Sequence, residues 1–415
     1  MIVLSQRVLL VVLCVALVLL VFSRSPVGTD SYWIASLVRD GGWEDLSRPT
    51  FFFALNSVLF KLGVPLFFLV RVVPVVGVFA CFSSMVLLAR KVLSHYKSEF
   101  VGLGRGFWCK FGIPDEFFLG LLCFGFPVFW YRGLVFEEEL FGIAFCLLSL
   151  FFVFDWIEGR SSWVLPLFCF VVGLGFWRGA VFFLPVFGLL GLQENRRWLS
   201  FLLPLSVVGV ACAVVGGFFP VASFGVAEGL PGVFTVVYAW GFGVLGLVLF
   251  RSSNRFFWGL GLLALPGLYV SRFVLLGVFG LAFGVFWLAL DLRGWRRVWR
   301  GLELVFDGGS FLRMFFIVGV LVGVGVFLFR MVPFPGQLEC MEDVVVLSGG
   351  GLVGNEWQYG HWLRWFGGVP EFSPLSNSDD LEASNASCLL GECSSVLGLR
   401  ERLVLNCSGV CLACR

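Results

Sequence analysis

The sequence predicts a polytopic α-helical membrane protein of about eleven transmembrane helices, with a small external α/β unit at its C-terminal end. Three observations predict it. First, 59% of the 415 residues are hydrophobic and 13% charged, with a mean hydropathy of +0.96, far from the balance of a soluble globular chain. Second, the apolar residues gather in runs near the roughly 20 that a helix needs to cross a bilayer. Third, the connections between runs alternate between rich and poor in Lys and Arg, as expected of a chain threading back and forth. The net charge of +2 is too small to suggest a nucleic-acid partner, so charge matters through its placement.

The first run, about 6–23, has almost no charged leader and no small-residue cleavage site, and reads as a retained first helix. Segment 24–65 breaks the pattern. "SRSPVGTDSYWIASLVRDGGWEDLSRP" is polar, and "TFFFALNSVLFKLG" is apolar but too short to span, so an interfacial or re-entrant helix is expected there. Further runs follow at about 66–90, 116–131, 138–156, 162–177, 179–193, 198–219, 233–250, 256–271, 273–291 and 312–331. The division expected is a transmembrane part, 1–331, and an external cysteine-rich part, 332–415.

Five connections ("ARKVLSHYKSEFVGLGRGFWCK", "IEGR", "QENRR", "RSSNR" and "DLRGWRRVWRGLELVFDGGSFLR") carry fifteen Lys and Arg. The intervening ones ("YRGLVFEEE", "WRG", "GFFPVASFGVAEGLPG", "YVSR") carry one each or none. That alternation predicts a cytoplasmic N-terminus, a plasma-membrane location and an external tail. Asn385 and Asn406 begin N-x-S triplets compatible with an external tail. Six of the thirteen cysteines crowd into the last 76 residues, which predicts disulfides on the oxidising side. "CSGVCLAC" also fits a metal knuckle, the second reading.

With this orientation, a set of ionisable residues falls at the outer face. Asp30 in "GTDSYW" is placed to cap the helix it precedes. Glu137, Glu138 and Glu139 stand where a helix begins, favoured by its macrodipole. Three adjacent carboxylates also suit a divalent cation. In an extended stretch Glu137 and Glu139 would face together and Glu138 away. Glu228 is the one charge in an apolar outer loop. Arg132, Arg178 and Arg272 are single arginines in outer connections, able to snorkel to headgroups or to hold a lipid phosphate. The tail adds "NEWQYGHWLRW", whose aromatics fit an interface belt, the core of a small unit or a binding motif. His361 within it reads as a structural histidine more readily than a metal ligand.

The order of these features resembles the catalytic subunit of oligosaccharyltransferase, especially its single-subunit archaeal and bacterial forms, within the C-type glycosyltransferase superfamily. That family has thirteen transmembrane helices, then an external domain bearing "WWDYG". The resemblance implies that Asp30, Glu137 and Glu139 bind Mg²⁺ or Mn²⁺. It implies that Asp30 and Glu228 meet the acceptor amide from two sides, and that Arg272 faces the donor's phosphates. Arg132 and Arg178 would be further lipid-phosphate contacts. "EWQYG" would match "WWDYG", making Trp357, Gln358, Tyr359 and Gly360 the acceptor-reading residues. Glu356 stands where the family has its first Trp, and Gln358 where it has Asp. The chain is also shorter, by two helices and most of the external domain.

The function implied is transfer of a glycan from a polyprenyl (dolichyl) phosphate or pyrophosphate carrier to an acceptor polypeptide or glycan, foremost asparagine in a sequon. The alternatives are a monosaccharide transferase using polyprenyl-phosphate sugar, and a non-catalytic lipid-linked glycan binder or transporter. A transporter would place its charges near mid-helix, whereas most here fall at the outer ends.

Overall fold

A computed structural model describes residues 29–40, 50–96, 136, 138–194, 255–263, 265–266, 275–279, 335–355, 357–366, 368–370, 386–393, 396, 402–407 and 410–414, some of them by backbone alone. The architecture is mostly helical. Helices α1 (Thr29–Asp40) and α2 (Thr50–Lys61) occupy the segment expected to be structured ahead of the long spans. α1 stops before Gly41-Gly42, and Pro49 with its fixed φ precedes α2. The end of α2 is set by Gly63 at φ +92°, with Gly63 N–H donating to Phe60 O and Val64 N–H to Leu59 O. A residue with a Cβ would be strained there. Pro65 then caps α3 (Leu66–His95), whose 30 residues extend about 45 Å.

Next come α4 (Glu139–Ile157) and α5 (Val164–Phe176), then a 3₁₀ turn (Arg178–Phe183), α6 (Leu184–Glu194) and α7 (Arg255–Leu262). Two of these, α3 and α4, are long and apolar enough to cross a membrane. They coincide with the runs at 66–90 and 138–156. The runs expected at 162–177 and 179–193 form shorter helices, because Trp177 turns extended (φ −148°, ψ 119°) and the chain resumes as a 3₁₀ turn. The runs at 6–23, 116–131, 198–219, 233–250 and 312–331 lie outside the described residues. Those at 256–271 and 273–291 are described in part.

Packing fixes the directions of the helices. Gly77 of α3 lies against Leu140 and Phe141 of α4, while Lys91 reaches Asp155 and Glu158 at the other end, so α3 and α4 run parallel. α5 returns antiparallel to α4: Gly173 sits against Gly142, and Ser149 Oγ donates to Pro166 O at 2.7 Å. A Cβ on Gly142 would come within 2.4 Å of Trp177 Cβ, so this crossing needs the small residue. At the His95 end Lys91, only 5% exposed, bonds Asp155 and, at 2.8 Å, Glu158, while His95 Nδ1 lies 3.1 Å from Glu158 Oε1. Arg160 joins the same two carboxylates, and Tyr96 and Phe154 pack on Phe256 of α7. Gln193 Oε1 accepts from Arg255 N–H at 2.7 Å, so the connections after α3, α4 and α6 meet at one end. The sides of these helices remain apolar where exposed, with Phe67, Phe68, Val76 and Phe79 on α3 and Phe168 on α5.

The C-terminal part is an α/β unit. It comprises α8 (Pro335–Leu347), β1 (Leu352–Asn355), α9 (Trp357–Trp365), β2 (Val369–Pro370), β3 (Cys388–Glu392), β4 (Arg402–Cys407) and β5 (Val410–Cys414). The sheet order is β2-β1-β3-β5-β4, with β1 parallel to β2 and β3 and the remaining pairs antiparallel. Met341, Val344, Val353, Tyr359, Leu363, Leu390, Val410 and Leu412 form its core. Cys388 pairs with Cys414 and Cys393 with Cys411, joining β3 to β5 near both ends. Four of the six crowded tail cysteines thus form disulfides. Cys411 and Cys414 go to different bridges, which sets the metal-knuckle reading of "CSGVCLAC" aside.

Candidate functional site

Asp30 is the second residue of α1, described by its backbone. Its neighbour Ser31 is fully buried, and Ser31 Oγ accepts a hydrogen bond from Phe136 N–H at 2.8 Å. Phe136 is itself buried, with its ring 5.2 Å from that of Phe52 on α2. One residue beyond Phe136 the acidic triplet begins. The contact therefore draws together the backbones of two segments 105 residues apart, one carrying Asp30 and the other Glu137 to Glu139.

Glu138 caps α4 and Glu139 is its first residue, 6% and 2% exposed. The expected extended stretch, with Glu138 turned away, gives way to a helix start: Glu138 adopts φ −82°, ψ −14°, and its carbonyl accepts from Gly142 N–H at 3.2 Å. Carboxylates at this position meet the positive end of the macrodipole, which offsets part of the cost of burying them. Trp177 packs its Cβ on Gly142, one turn into α4, and its ring over Gly179. That places the half-buried Arg178, at the start of the 3₁₀ turn, beside the acidic helix start. Phe176 stacks on Phe141 and Phe145 and closes this end of the bundle.

The motif of the tail forms the first turn of α9. Trp357 to Gly360 directly follow β1 at the carboxyl end of the parallel strands β1 and β3, where α/β structures place binding groups. Tyr359 is 9% exposed and packs in the core of the unit. Gly360 is buried too, while Trp357 and Gln358 are described by backbone alone. The far end of α9 meets α1. Arg39 donates to the carbonyls of Arg364 and Trp365, both at 3.2 Å, and Arg364 Nη2 lies 3.4 Å from Asp40 Oδ2. Trp365 packs against the α/β core and also against the cluster of Ile34, Val38, Phe52 and Phe136.

Glu137, Arg132, Glu228 and Arg272 lie outside the described residues. Among the described residues no three His, Cys, Asp or Glu side chains are grouped to hold a metal ion. Of the three expected ligands, only Glu139 has its side chain described. Its carboxylate chemistry, and that of Asp30 and Glu137, suits a hard divalent cation.

Three residues escaped the sequence reading. Ser31 joins the two acidic segments, and Arg39 joins α1 to α9. Arg71 is the one charged residue between Leu66 and Ala89, its guanidinium 3.6 Å from the ring centroid of Phe67. A lone charge within an apolar run was the available signal for Arg71. For Arg39 the signal was a cation in the last turn of a helix, a weaker one.

No family model matches the chain, and no curated protein does.

Proposed function

We propose that the chain is a membrane glycosyltransferase of the oligosaccharyltransferase type. It transfers a glycan from a polyprenyl phosphate or pyrophosphate to an acceptor outside the membrane, foremost asparagine in a sequon. The reading places an eleven-helix C-type framework in the bilayer and the α/β unit outside. The observation that carries it is the Ser31–Phe136 hydrogen bond, which brings the neighbours of Asp30 and Glu137 together over Glu138, Glu139 and the Arg178 turn. Two features support the sidedness. The ends of α3 and α4 that lead into connections assigned to the inner side meet at His95, and the acidic helix start lies at the other end. Parallel α3 and α4 also leave the 39 residues from 97 to 135 joining opposite ends of the bundle, as a span between them requires.

In this reading Arg178, with Arg132 and Arg272, holds the donor's phosphate oxygens through guanidinium forks. Asp30 and Glu228 orient the acceptor nitrogen and accept its proton. Asp30, Glu137 and Glu139 would hold Mg²⁺ or Mn²⁺, which would neutralise charge on the departing phosphate. The apolar sides of α3 and α5 accommodate the polyprenyl tail. The test is transfer by the purified protein to a sequon peptide with Mn²⁺, offering lipid monophosphate and pyrophosphate donors separately. Labelled peptide is expected from one donor class, with Asp30→Ala and Glu228→Ala each lowering the rate by about 10²-fold or more. No transfer from any donor, or variants equal to wild type, would overturn it.

A further inference from the structure

The last carbonyls of a helix have no partner within it and must find one elsewhere. In α9 two of them find it in a group far away in sequence. Leu363 O accepts from Gly368 N–H at 2.8 Å, a local cap. The next two, Arg364 O and Trp365 O, accept from Nη2 and Nη1 of Arg39, which comes from α1, more than 320 residues earlier. Asp40 closes the arrangement, its Oδ1 3.1 Å from Arg39 Nε and its Oδ2 3.4 Å from Arg364 Nη2. A guanidinium at a helix C-terminus also meets the negative end of the macrodipole. Beneath these bonds Trp365 packs into two cores at once, that of the sheet and that of α1, α2 and Phe136.

We infer that Arg39, with Asp40 and Arg364, is a positioning latch that docks the α/β unit onto α1 and so fixes the first turn of α9, Trp357 to Gly360, relative to the Asp30 end of that helix. Its role in transfer rests on the glycosyltransferase reading; the latch itself does not. An exposed ion pair alone is worth little. Here, however, the cation also satisfies two helix-end carbonyls, and one rigid element of 12 residues connects the acidic start of α4 to the motif helix. Loosening one end of α1 therefore changes where α9 sits without touching a residue that would meet donor or acceptor.

The test uses the full chain in lipid nanodiscs and hydrogen exchange. Arg39→Met, which keeps the stem and removes the donors, is expected to speed exchange of the α9 amides by roughly tenfold, leaving α3 and α4 unchanged. Arg39→Lys should restore part of the protection. Unchanged exchange at α9 in Arg39→Met overturns the latch. If Arg39→Met loosens α3 and α4 as well, Asp40→Asn, which leaves Arg39 in place, decides. Faster exchange confined to α9 then supports the latch, and unchanged exchange overturns it. In the transfer assay, Arg39→Met should raise the KM for the peptide several-fold with kcat and donor KM unchanged. An equal rise in donor KM would overturn the positioning role. A wild-type protein that transfers no sugar removes the transferase reading and leaves exchange at α9 to decide the latch.

Discussion

At the scale of single residues, the fold depends on a few buried polar groups and the hydrogen bonds they make. Ser31 is the clearest case. Its hydroxyl accepts the N–H of Phe136 where both residues are shut away from solvent. Ser31→Ala removes the acceptor and leaves a buried N–H without its bond, at a cost of about 1–3 kcal/mol. Thermal unfolding in detergent should show the loss, and Ser31→Thr, which keeps the hydroxyl, should recover most of it. This contact was not legible in the sequence. A serine following Asp30 reads as part of a helix start, and nothing local points to a phenylalanine 105 residues on. The acidic triplet was legible as a cluster at a helix start, but its geometry was not. Alternation along an extended stretch predicted Glu138 facing away from its two neighbours, whereas its backbone is helical and Glu138 and Glu139 are both buried.

Among the elements, the α3–α4 pair carries most of what the sequence could specify. Pro65 and Gly63 mark the entry to α3, and the boundaries expected at 66 and 138 fall within one residue of those found. The exit of α5 was less legible, because apolar residues continue through Trp177 and only its extended backbone ends the helix. What locks α3 to α4 is the ion cluster at their C-terminal ends. Lys91 is nearly inaccessible and serves two carboxylates that are 19% and 24% exposed. Removing one partner of a buried pair costs more than the pair contributes, since the remaining charges stay desolvated. Lys91→Met should therefore destabilise the bundle by about 3 kcal/mol, read as a lowered midpoint in chemical denaturation. Lys91→Met combined with Asp155→Asn and Glu158→Gln should recover part of that loss.

For the whole molecule, the arrangement separates two ends: one where Lys91 and Arg160 pair with Asp155 and Glu158, and one with Glu138 and Glu139 that continues through α1 to the α/β unit. The proposed orientation predicts that Val346→Cys, 76% exposed beside the sheet, reacts with a membrane-impermeant thiol reagent on intact cells. Ser162→Cys in the α4–α5 turn should react only after permeabilisation. Equal labelling of both in intact cells would contradict the orientation. The two long apolar helices, α3 and α4, were legible from hydropathy, and the two disulfides from the crowding of cysteines. The joint between the two parts was not, because Trp365 and Arg39 carry no sign in the sequence of which core they serve. That joint also has a consequence in time. A ribosome working at 5 to 20 residues per second needs roughly 15 to 65 s to make the 325 residues separating Arg39 from Arg364. For most of that interval α1 is outside the ribosome while the helix it docks against does not yet exist. The face of α1 that ends against Trp365 thus lacks its partner for most of synthesis, and the unit made last decides when the part made first is finished.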